Sequence, residues 1–483
     1  MDDTSEEFLR LGNLQETAVN DSHTLRNKLF TSAAFQKAKS ELLSVTANAA
    51  KSARGIRGET SPEIRADYLK ELAALGKMKG RDPFFSYLST GLGSGPYMEL
   101  LDGSVKMDLI TGIGINFFGH SHPAFMEEIL EGLTSDVMQG NLQPGFESEE
   151  IIRTILSHVG PKSRLKHGWL LGSGTMANET ALKIIRQKKH PATRLFAFAD
   201  CFAGRSTAMQ EVTDNPKYRE GQPTYNEVTH LPFYDPALGL EKSLAATLAA
   251  MNESLANSPG KYAGMMVELV QGEGGIRWAP REWYVGVFEA AKKANLALWD
   301  DEVQTFGRLE TLFAYQHFGL EDYFDVVTVG KLLHACMALY TEDMNPRAGL
   351  VAGTFTGSFA ALRTGRRILE MLTSDGYYGK DGKISNLSNH FKHGIEKLKS
   401  GTCAGLIGEI RVIGGMVGFG VLGQTMDDTK KFLMRLFENG VVAFYAGHDP
   451  YVVRCLPPFG VMTKAYIDVA LEVIEITLLQ LKS

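Results

Sequence analysis

The feature that most constrains the fold of this chain is an alternation of short apolar runs with segments of helical periodicity. It begins at about residue 130, where the pattern becomes strand, turn and helix, repeated. Strands that alternate with helices predict a mainly parallel sheet that is buried on both faces, and therefore an α/β fold. The apolar runs are HGWLLGSG, RLFAFAD, YAGMMVELV, LALWDDEV and DVVTVGK.

Changes in the character of the sequence divide the chain into three parts. Residues 1–95 are polar and helix-leaning, which predicts an N-terminal helical arm. Residues 131–345 carry the strand–helix alternation and predict a large α/β domain. Residues 96–130 and 346–483 combine amphipathic helices with short strands, which predicts a smaller α+β domain with an antiparallel sheet.

Composition excludes several classes of protein. A net charge of −6 is not that of a nucleic-acid binder, which is usually basic. No apolar run reaches the length of about 18 residues that a transmembrane helix needs, and the acidic start MDDTSEEFLR is not a secretory signal. The scattered cysteines favour a reducing compartment, so we expect a cytoplasmic protein without membrane partners. The basic cluster between residues 26 and 57 favours a solvated arm over a partner surface.

A glycine-rich turn joins the first apolar run to a helix. In LLGSGTMANETALK, the residues between strand and helix are Gly172, Ser173, Gly174 and Thr175. Small residues let the backbone approach a ligand, and a helix N-terminus offers free N–H groups and a positive dipole end. This arrangement suits a phosphate group. Taken alone, the motif favours a simpler alternative, a tight turn in which Thr175 caps the helix.

Two further apolar runs end in charged residues. LALWDDEV ends in Asp300, Asp301 and Glu302, and DVVTVGK ends in Lys331. Ligands of open α/β sheets bind at the carboxyl ends of the strands, so we expect Asp301 and Lys331 in one crevice. A lysine in an apolar pocket can form Schiff bases with carbonyl compounds, and a carboxylate can pair with a cationic ring nitrogen. Helix capping by the carboxylates and a lysine that reaches solvent are the alternatives.

A phosphate cradle, a strand-end carboxylate and a strand-end lysine together suit one cofactor. Pyridoxal 5'-phosphate has a phosphate, a pyridine nitrogen and an aldehyde, and its enzymes use a Schiff-base lysine and an acidic partner for the ring nitrogen. The three motifs therefore predict a pyridoxal-phosphate site. A metal site is not expected, because no further oxygen or imidazole ligands lie near Asp301 in the sequence.

The chain resembles the class III pyridoxal-phosphate aminotransferases, the group that contains the ornithine, acetylornithine, 4-aminobutyrate and lysine 6-aminotransferases. The resemblance begins at about Gly95, reaches the C-terminus and implies a fold-type-I transferase with a mainly parallel seven-stranded sheet. It also implies a homodimer with shared active sites. The motifs that carry it, in the family's order, are GSVKMDLITGIGINFFGHSHPAF, SGTMANETALK, CFAGRS, VELVQGEGG, DDEVQTFGR, TVGK, GTFTGS and VVRCLPPF.

The resemblance implies a set of cofactor-binding residues. Lys331 would hold the cofactor as a Schiff base and then shuttle a proton, and Asp301 would keep the ring nitrogen protonated. Gly174 and Thr175 would bind the phosphate, and Phe202 would stack on the ring face. Gln304 would hydrogen-bond the phenolic oxygen, and Thr354 would reach the phosphate of the neighbouring subunit.

The resemblance also implies substrate-binding residues. Arg454 would grip a substrate carboxylate, for which a bidentate guanidinium fork is well suited. Glu273 would pair with this arginine and mask it, and Arg205 would also contact substrate. Such a switch lets one pocket accept an ω-amino group in one half-reaction and the α-carboxylate of glutamate in the other. We therefore expect transfer of an amino group from an amino acid or ω-amine to a 2-oxo acid, 2-oxoglutarate.

Departures from the family pattern surround the expected substrate pocket. Ala203 replaces the usual histidine, DEVQTFGR is one residue shorter than usual, GTFTGS replaces STFGGNP, and LLHACMALYTEDMNPRAG lacks the usual glycines. One fold with the same cofactor can support different reactions, so an aminomutase, epimerase, decarboxylase or phospho-lyase is an alternative. Arg454 and Glu273 argue against an aminomutase. A non-catalytic scaffold is a second alternative.

Overall fold

Between Leu25 and Lys79 most of the chain is helical. The computed structural model describes residues 22–374 and 376–482, so the first 21 residues of the predicted arm lie outside the described residues. Ser32 and Ser61 cap two of the arm helices by accepting backbone N–H groups. A strand begins at Ser89, so the helical character ends earlier than the predicted boundary at residue 95.

The basic arm is not solvated throughout. Most residues of helix Ala33–Lys51 are exposed, but the side chain of Lys39 is only 8% exposed. Its Nζ lies 2.9 Å from Glu127 Oε1 and 2.8 Å from Glu131 Oε1 on a helix of the main body. The prediction of a solvated arm is therefore wrong at this position, because two carboxylates compensate the buried ammonium.

Helices surround the sheets of the main body. A separate short turn, Thr111–Gly114, has left-handed backbone angles throughout, with φ from 53° to 86°. The helices are Leu25–Phe30, Ala33–Lys51, Pro62–Lys79, Pro123–Leu133, Phe146–Leu156, Gly174–Lys188, Met209–Val212, Gly239–Asn257, Arg281–Lys293, Ala314–His317, Phe359–Ser374, Lys383–Ser400, Met426–Glu438 and Lys464–Lys482.

The strands fall into a central sheet and smaller peripheral sheets. In chain order they are β1 (Ser89–Ser94), β2 (Tyr97–Leu100), β3 (Val105–Asp108), β4 (Met138–Gln139), β5 (Leu165–Leu171), β6 (Arg194–Phe198), β7 (Val228–Leu231), β8 (Tyr262–Val267), β9 (Val270–Gln271), β10 (Arg277–Trp278), β11 (Ala297–Glu302), β12 (Val326–Val329), β13 (Cys336–Thr341), β14 (Gly357–Ser358), β15 (Ile407–Ile413), β16 (Met416–Val421), β17 (Val441–Val442), β18 (Phe444–Ala446) and β19 (Val452–Cys455).

The central sheet has seven strands in the order β5-β13-β12-β11-β8-β6-β7. β13 runs antiparallel to β12 and β5, whereas the other neighbouring pairs are parallel. The predicted mainly parallel seven-stranded sheet is therefore confirmed. β8, β11 and β12 are buried along their whole length, as expected for strands covered on both faces.

Two smaller four-stranded sheets contain the strands of the predicted small domain, and one of them combines strands from distant parts of the sequence. β15, β16, β19 and β18 form an antiparallel sheet, which confirms the sheet predicted for the C-terminal part. β17 pairs with β3, so strands from both predicted segments of the small domain share one sheet. The domain boundaries themselves stay a prediction. Within the described residues, no helix combines the length and apolar character that a bilayer crossing requires.

The register of the central sheet brings the predicted charged residues to one edge. Asp301 pairs with Thr328, and Glu302 pairs with Val329 at the ends of β11 and β12. Lys331 follows two residues after β12. Because parallel strands end at the same edge, Asp301 and Lys331 leave the sheet side by side.

Candidate active site

A cavity of about 560 Å³ lies where the central strands end. Its walls come from the carboxyl ends of β8, β11 and β12, from the N-terminus of helix Gly174–Lys188 and from adjoining loops. The lining residues are Ile115, Ser173, Gly174, Thr175, Asn178, Phe202, Ala203, Glu268, Asp301, Val303, Gln304, Lys331, His334, Cys336 and Ala361.

Lys331 is partly buried and lines this cavity. Burial disfavours its charged form and lowers its pKa to about 8, although Glu273 and Asp301 act in the opposite direction. Its φ is 43°, which places a non-glycine residue in the left-handed region at the point where the strand ends. Because the side chain lines the cavity at the strand end, its position fits the predicted role in chemistry.

Asp301 lies in the same cavity and is 5% exposed. Its Oδ2 accepts a hydrogen bond from Asn178 Nδ2 at 2.7 Å, and its Oδ1 accepts one from the Val303 N–H at 3.0 Å. Burial raises its pKa to about 6, while these hydrogen bonds and Lys331 limit the rise. At neutral pH the side chain of Asp301 is therefore mostly ionised, and its two hydrogen bonds hold its orientation.

The predicted phosphate cradle forms the third side of the cavity. Ser173, and not Thr175, caps the helix, because its side chain accepts the Met176 N–H at 3.2 Å. The predicted alternative, in which Thr175 caps the helix, is therefore wrong. The Thr175 hydroxyl does not serve as the helix cap. A Cβ on Gly204 would approach Thr175 Oγ1 to 2.6 Å, so only glycine fits beside it. The helix buries Ala177, Ala181, Ile184 and Ile185, as the sequence predicts.

Gln304 connects this cavity to the predicted carboxylate-binding pair. Arg454 is completely buried, and its Nη1 lies 2.6 Å from Glu273 Oε1 and 3.3 Å from Gln304 Oε1. Burial by itself would raise the pKa of Glu273, but Arg454 and Lys331 outweigh this effect and lower it. The Nε and Nη2 atoms of Arg454 have no hydrogen-bond partner within the described part of the chain. They are donors suited to a carboxylate.

Phe202 separates the first cavity from a second one of about 460 Å³, and it lines both. Glu273 and Tyr218 line the second cavity. The Phe202 N–H donates to Glu268 Oε2 at 2.8 Å, which anchors the backbone of this dividing residue. The two cavities therefore meet at an aromatic side chain whose backbone is fixed.

Besides the buried Arg454, two predicted residues do not line either cavity. Arg205 is exposed, and its guanidinium carbon lies 4.0 Å from the ring centroid of Tyr218, at the edge of the second cavity. Thr354 is exposed in the segment that precedes β14. Neither position contradicts the predicted role, since Thr354 is expected to act on a neighbouring subunit.

Asn178 and Glu268 also line the cavity, although the sequence patterns described above did not predict them as site residues. Asn178 also donates to the Ala203 carbonyl at 2.7 Å, so it ties Asp301 to the loop that carries Phe202. Burial raises the pKa of Glu268 to about 8, and nearby Asp301 adds to the rise. Glu268 follows the apolar strand β8, and the strand-end rule applied to Asp301 and Lys331 also identifies this position. No comparable signal marks Asn178.

The predicted alternative role of the strand-end carboxylates, capping of a helix, is filled by Glu302 and not by Asp301. The Glu302 oxygens accept the N–H groups of Ala314 and Tyr315 at 2.7 and 3.0 Å, at the start of a short helix. Asp300 is also fully buried, and its carboxyl interacts with that of Glu302. Burial raises the pKa of both groups, so the pair retains a proton to higher pH than isolated carboxyls do.

We predict that the pair of Asp300 and Glu302 lowers the stability of the protein as pH rises. The folded state holds protons that the unfolded state releases, so stability falls as pH rises from 4.5, the usual pKa of a glutamate, through the raised pKa of about 7 at Glu302. Asp300→Asn is expected to flatten this dependence of melting temperature, and Asp67→Asn on an exposed helix is the control. An unchanged pH dependence in Asp300→Asn would contradict the prediction.

The chain matches a family model over most of its length. Residues 80–478 match the family described as aminotransferase class-III. An acetylornithine aminotransferase of Caldanaerobacter subterraneus is 28% identical over 395 residues, covering 79% of this chain and 92% of that protein. An acetylornithine aminotransferase of Mycolicibacterium smegmatis is also 28% identical, covering 79% of this chain and 91% of that protein.

Solved structures share the fold. A lysine aminotransferase of M. tuberculosis superposes with a TM-score of 0.75 at 20% identity, covering 85% of this chain and 99% of the other. An aminotransferase of Bacillus anthracis has a TM-score of 0.75 at 18% identity, covering 86% and 99%. At this identity the likeness concerns the architecture, which agrees with the predicted fold-type-I class.

Proposed function

The chain belongs to the class-III aminotransferase family. We propose that the enzyme transfers the amino group of an amino acid or ω-amine to 2-oxoglutarate, and that the reaction takes place in the cavity at Lys331. The protein is a pyridoxal-phosphate-dependent enzyme that uses an amino donor and a 2-oxo acid. The observation that carries the assignment of the site is the meeting of Lys331, Asp301 and the N-terminus of helix Gly174–Lys188 in one cavity.

The donor set of the cavity fits pyridoxal phosphate. The helix N-terminus and the Thr175 hydroxyl would hold the phosphate, and Asp301 would hold the protonated ring nitrogen. Phe202 would cover one ring face, and Gln304 would meet the phenolic oxygen. Lys331 is the amine within this set. The partners of Asp301, Asn178 and the Val303 N–H, keep its carboxylate oriented without neutralising it.

When bound, pyridoxal phosphate supplies an aldehyde that condenses with primary amines and a ring that accepts electrons from the substrate carbon. Lys331 has two tasks: its amine binds the cofactor, and its Nζ later moves the proton of the substrate carbon. A pKa of about 8 suits the second task, because an acid–base group works best when its pKa lies near the operating pH. Asp301 supports the charge of the ring nitrogen throughout.

Arg454 and Glu273 would select between the two substrates. In the contact seen here, Glu273 neutralises Arg454, which suits a donor whose reacting end carries no carboxylate. If Glu273 moves aside, the guanidinium is free to bind the α-carboxylate of glutamate. The unpaired Nε and Nη2 of Arg454 are consistent with that second state. The substrate roles of both residues, and of Arg205, are part of this proposal.

A panel of amino donors, read out by the formation of glutamate from 2-oxoglutarate, tests the proposed function. Wild-type protein is expected to form glutamate with at least one amino acid or ω-amine. Glu273→Gln is expected to slow the half-reaction with ω-amines more than the half-reaction with glutamate, because Arg454 is left without its counter-charge. Glu409→Gln, at a partly exposed position, is the control. Conversion of donors without glutamate formation would instead favour an aminomutase, decarboxylase or related reaction.

We also propose that the enzyme is a homodimer and that Thr354 completes the phosphate site of the partner. The segments around Thr354 expose a group of apolar side chains, and large exposed apolar patches mark interaction sites. Asn141 Nδ2 donates to the Gly353 carbonyl at 2.7 Å, so the two segments form one surface. The exposed apolar residues are Leu133, Val137, Met138, Leu142 and Phe355.

We predict that Leu142→Asp converts the dimer to a monomer and weakens cofactor binding. Leu142 is 94% exposed in the single chain, so the substitution is not expected to disturb folding. Light scattering measures the mass, and an absorbance titration measures the affinity for pyridoxal phosphate. Leu238→Asp, at another exposed leucine, serves as the control. A wild-type monomer with full cofactor affinity would contradict this proposal.

A further inference from the structure

The turn that follows Lys331 holds a histidine in a backbone conformation that favours glycine. Lys331–Leu333 forms one turn of 3-10 helix, and His334, at its end, has φ 57° and ψ 1°. Residues with a Cβ adopt this left-handed region infrequently, and such positions cluster where the surroundings hold the residue for a purpose. His334 lies in the segment LLHACMALY, which departs from the family pattern.

The surroundings of His334 define its protonation. Its Nε2 lies 3.3 Å from the Ile115 carbonyl oxygen. A carbonyl oxygen can only accept a hydrogen bond, so Nε2 carries the proton and Nδ1 has the lone pair. Burial lowers the pKa of the ring, which is therefore uncharged at neutral pH. The ring also meets Phe125 edge-on, with centroids 6.1 Å apart.

His334 forms an uncharged wall of the cavity beside Lys331. Ile115, the hydrogen-bond partner of His334, lines the same cavity. Cys336 is a further lining residue, and burial raises the pKa of its thiol to about 11, so it is also uncharged. The charged pair formed by Arg454 and Glu273 does not line this cavity. His334 and Cys336 therefore give this part of the cavity wall an uncharged surface, which acts on a donor through shape and neutral hydrogen bonding.

We propose that His334 determines which amino donors the enzyme accepts, an inference that rests on the proposed transamination. The ring occupies volume beside Lys331 and excludes donors with a large substituent next to the reacting amine. Its Nδ1 is an uncharged acceptor for an N–H group of the donor, and no described residue hydrogen-bonds to it. The favoured class is a slender primary amine, such as the end of an unbranched ω-amino chain.

Two substitutions of His334 test this proposal. Glycine adopts a positive φ without strain, so His334→Gly removes the ring while preserving the turn. Asparagine tolerates the same conformation and keeps a polar group, so His334→Asn is the conservative variant. The donors are lysine, whose ω-amine is unbranched, and 1-phenylethylamine, which has a ring beside the amine.

The expected result for His334→Gly is a shift in donor preference. The ratio of kcat/KM for 1-phenylethylamine to that for lysine should rise about 10-fold or more, the scale that a change in pocket contact produces. His334→Asn should give a smaller shift. The melting temperature should not fall, and the affinity for pyridoxal phosphate, from absorbance titration, should stay within about 2-fold of wild type, because the groups proposed to hold the cofactor are unchanged.

Several outcomes would overturn the proposal. One is an unchanged donor ratio in both folded variants, and another is an equal loss for both donors together with weaker cofactor binding, which would indicate a structural role. Binding of each amine is also measured without a 2-oxo acid, from the absorbance of the bound cofactor. If wild type binds lysine selectively but forms no glutamate, the proposed acceptor is wrong, and the role of His334 is judged on amine binding alone.

Discussion

Replacing Lys331 by alanine is expected to reduce the rate of transamination by at least about 10²–10⁴-fold, the contribution of a positioned acid–base group. The variant loses both the amine that binds the cofactor and the group that moves the substrate proton. Lys331 and Asp301 line the same cavity, and no other lysine is among its lining residues in the described part of the chain. Glutamate formation under single-turnover conditions measures the loss.

The expected defect of Lys331→Ala is chemical rather than structural. Pyridoxal phosphate should still bind, through the helix N-terminus and Asp301, but without the visible absorbance of the lysine-bound form. Small primary amines added to the solution should restore part of the proton-transfer rate. Lys166→Ala, at an exposed position on β5, is the control and should behave as wild type. Full activity in Lys331→Ala would exclude the proposed site.

Replacing Asp301 by asparagine is expected to cause the second large loss. The amide preserves the shape of the side chain but removes the charge that pairs with the ring nitrogen. Removing one member of a buried ion pair costs about 3–5 kcal/mol, which corresponds to a rate loss of about 10²–10⁴-fold. The rate of proton exchange at the substrate carbon measures this effect directly.

The neighbouring residue provides a matched control for Asp301. Asp300→Asn makes the same chemical change one position earlier in β11, but Asp300 does not line the cavity. We expect near wild-type activity in Asp300→Asn. If both variants lose activity equally, the loss reflects disruption of the strand rather than the charge at residue 301. If Asp301→Asn retains full activity, the assignment of the ring-nitrogen partner is wrong.

The sequence predicts much of the fold because the local signals and the tertiary structure agree. The apolar runs that end in Asp301 and Lys331 are strands, and they lie side by side. The same rule locates both residues at one edge, since the strands are parallel. The motif around Gly174 also lies at this edge, so three separate sequence signals converge in one cavity.

Other features depend on contacts that a local pattern does not contain. β13 inserts antiparallel between β12 and β5, although its sequence is an apolar run like those of the parallel strands. Strand direction is set by partners far away in sequence, so composition does not reveal it. Lys39 is buried because Glu127 and Glu131 face it across a helix contact, and Asn178 matters only through its bond to Asp301.

The position of β19 near the end of the chain affects the order in which a newly synthesised protein can complete its site. The strand at Val452–Cys455 carries Arg454, whereas Lys331 and Asp301 are translated more than a hundred residues earlier. β17, translated just before β19, pairs with β3 near the other end of the chain. The residues for the cofactor therefore leave the ribosome more than a hundred residues before the arginine proposed to bind the substrate carboxylate.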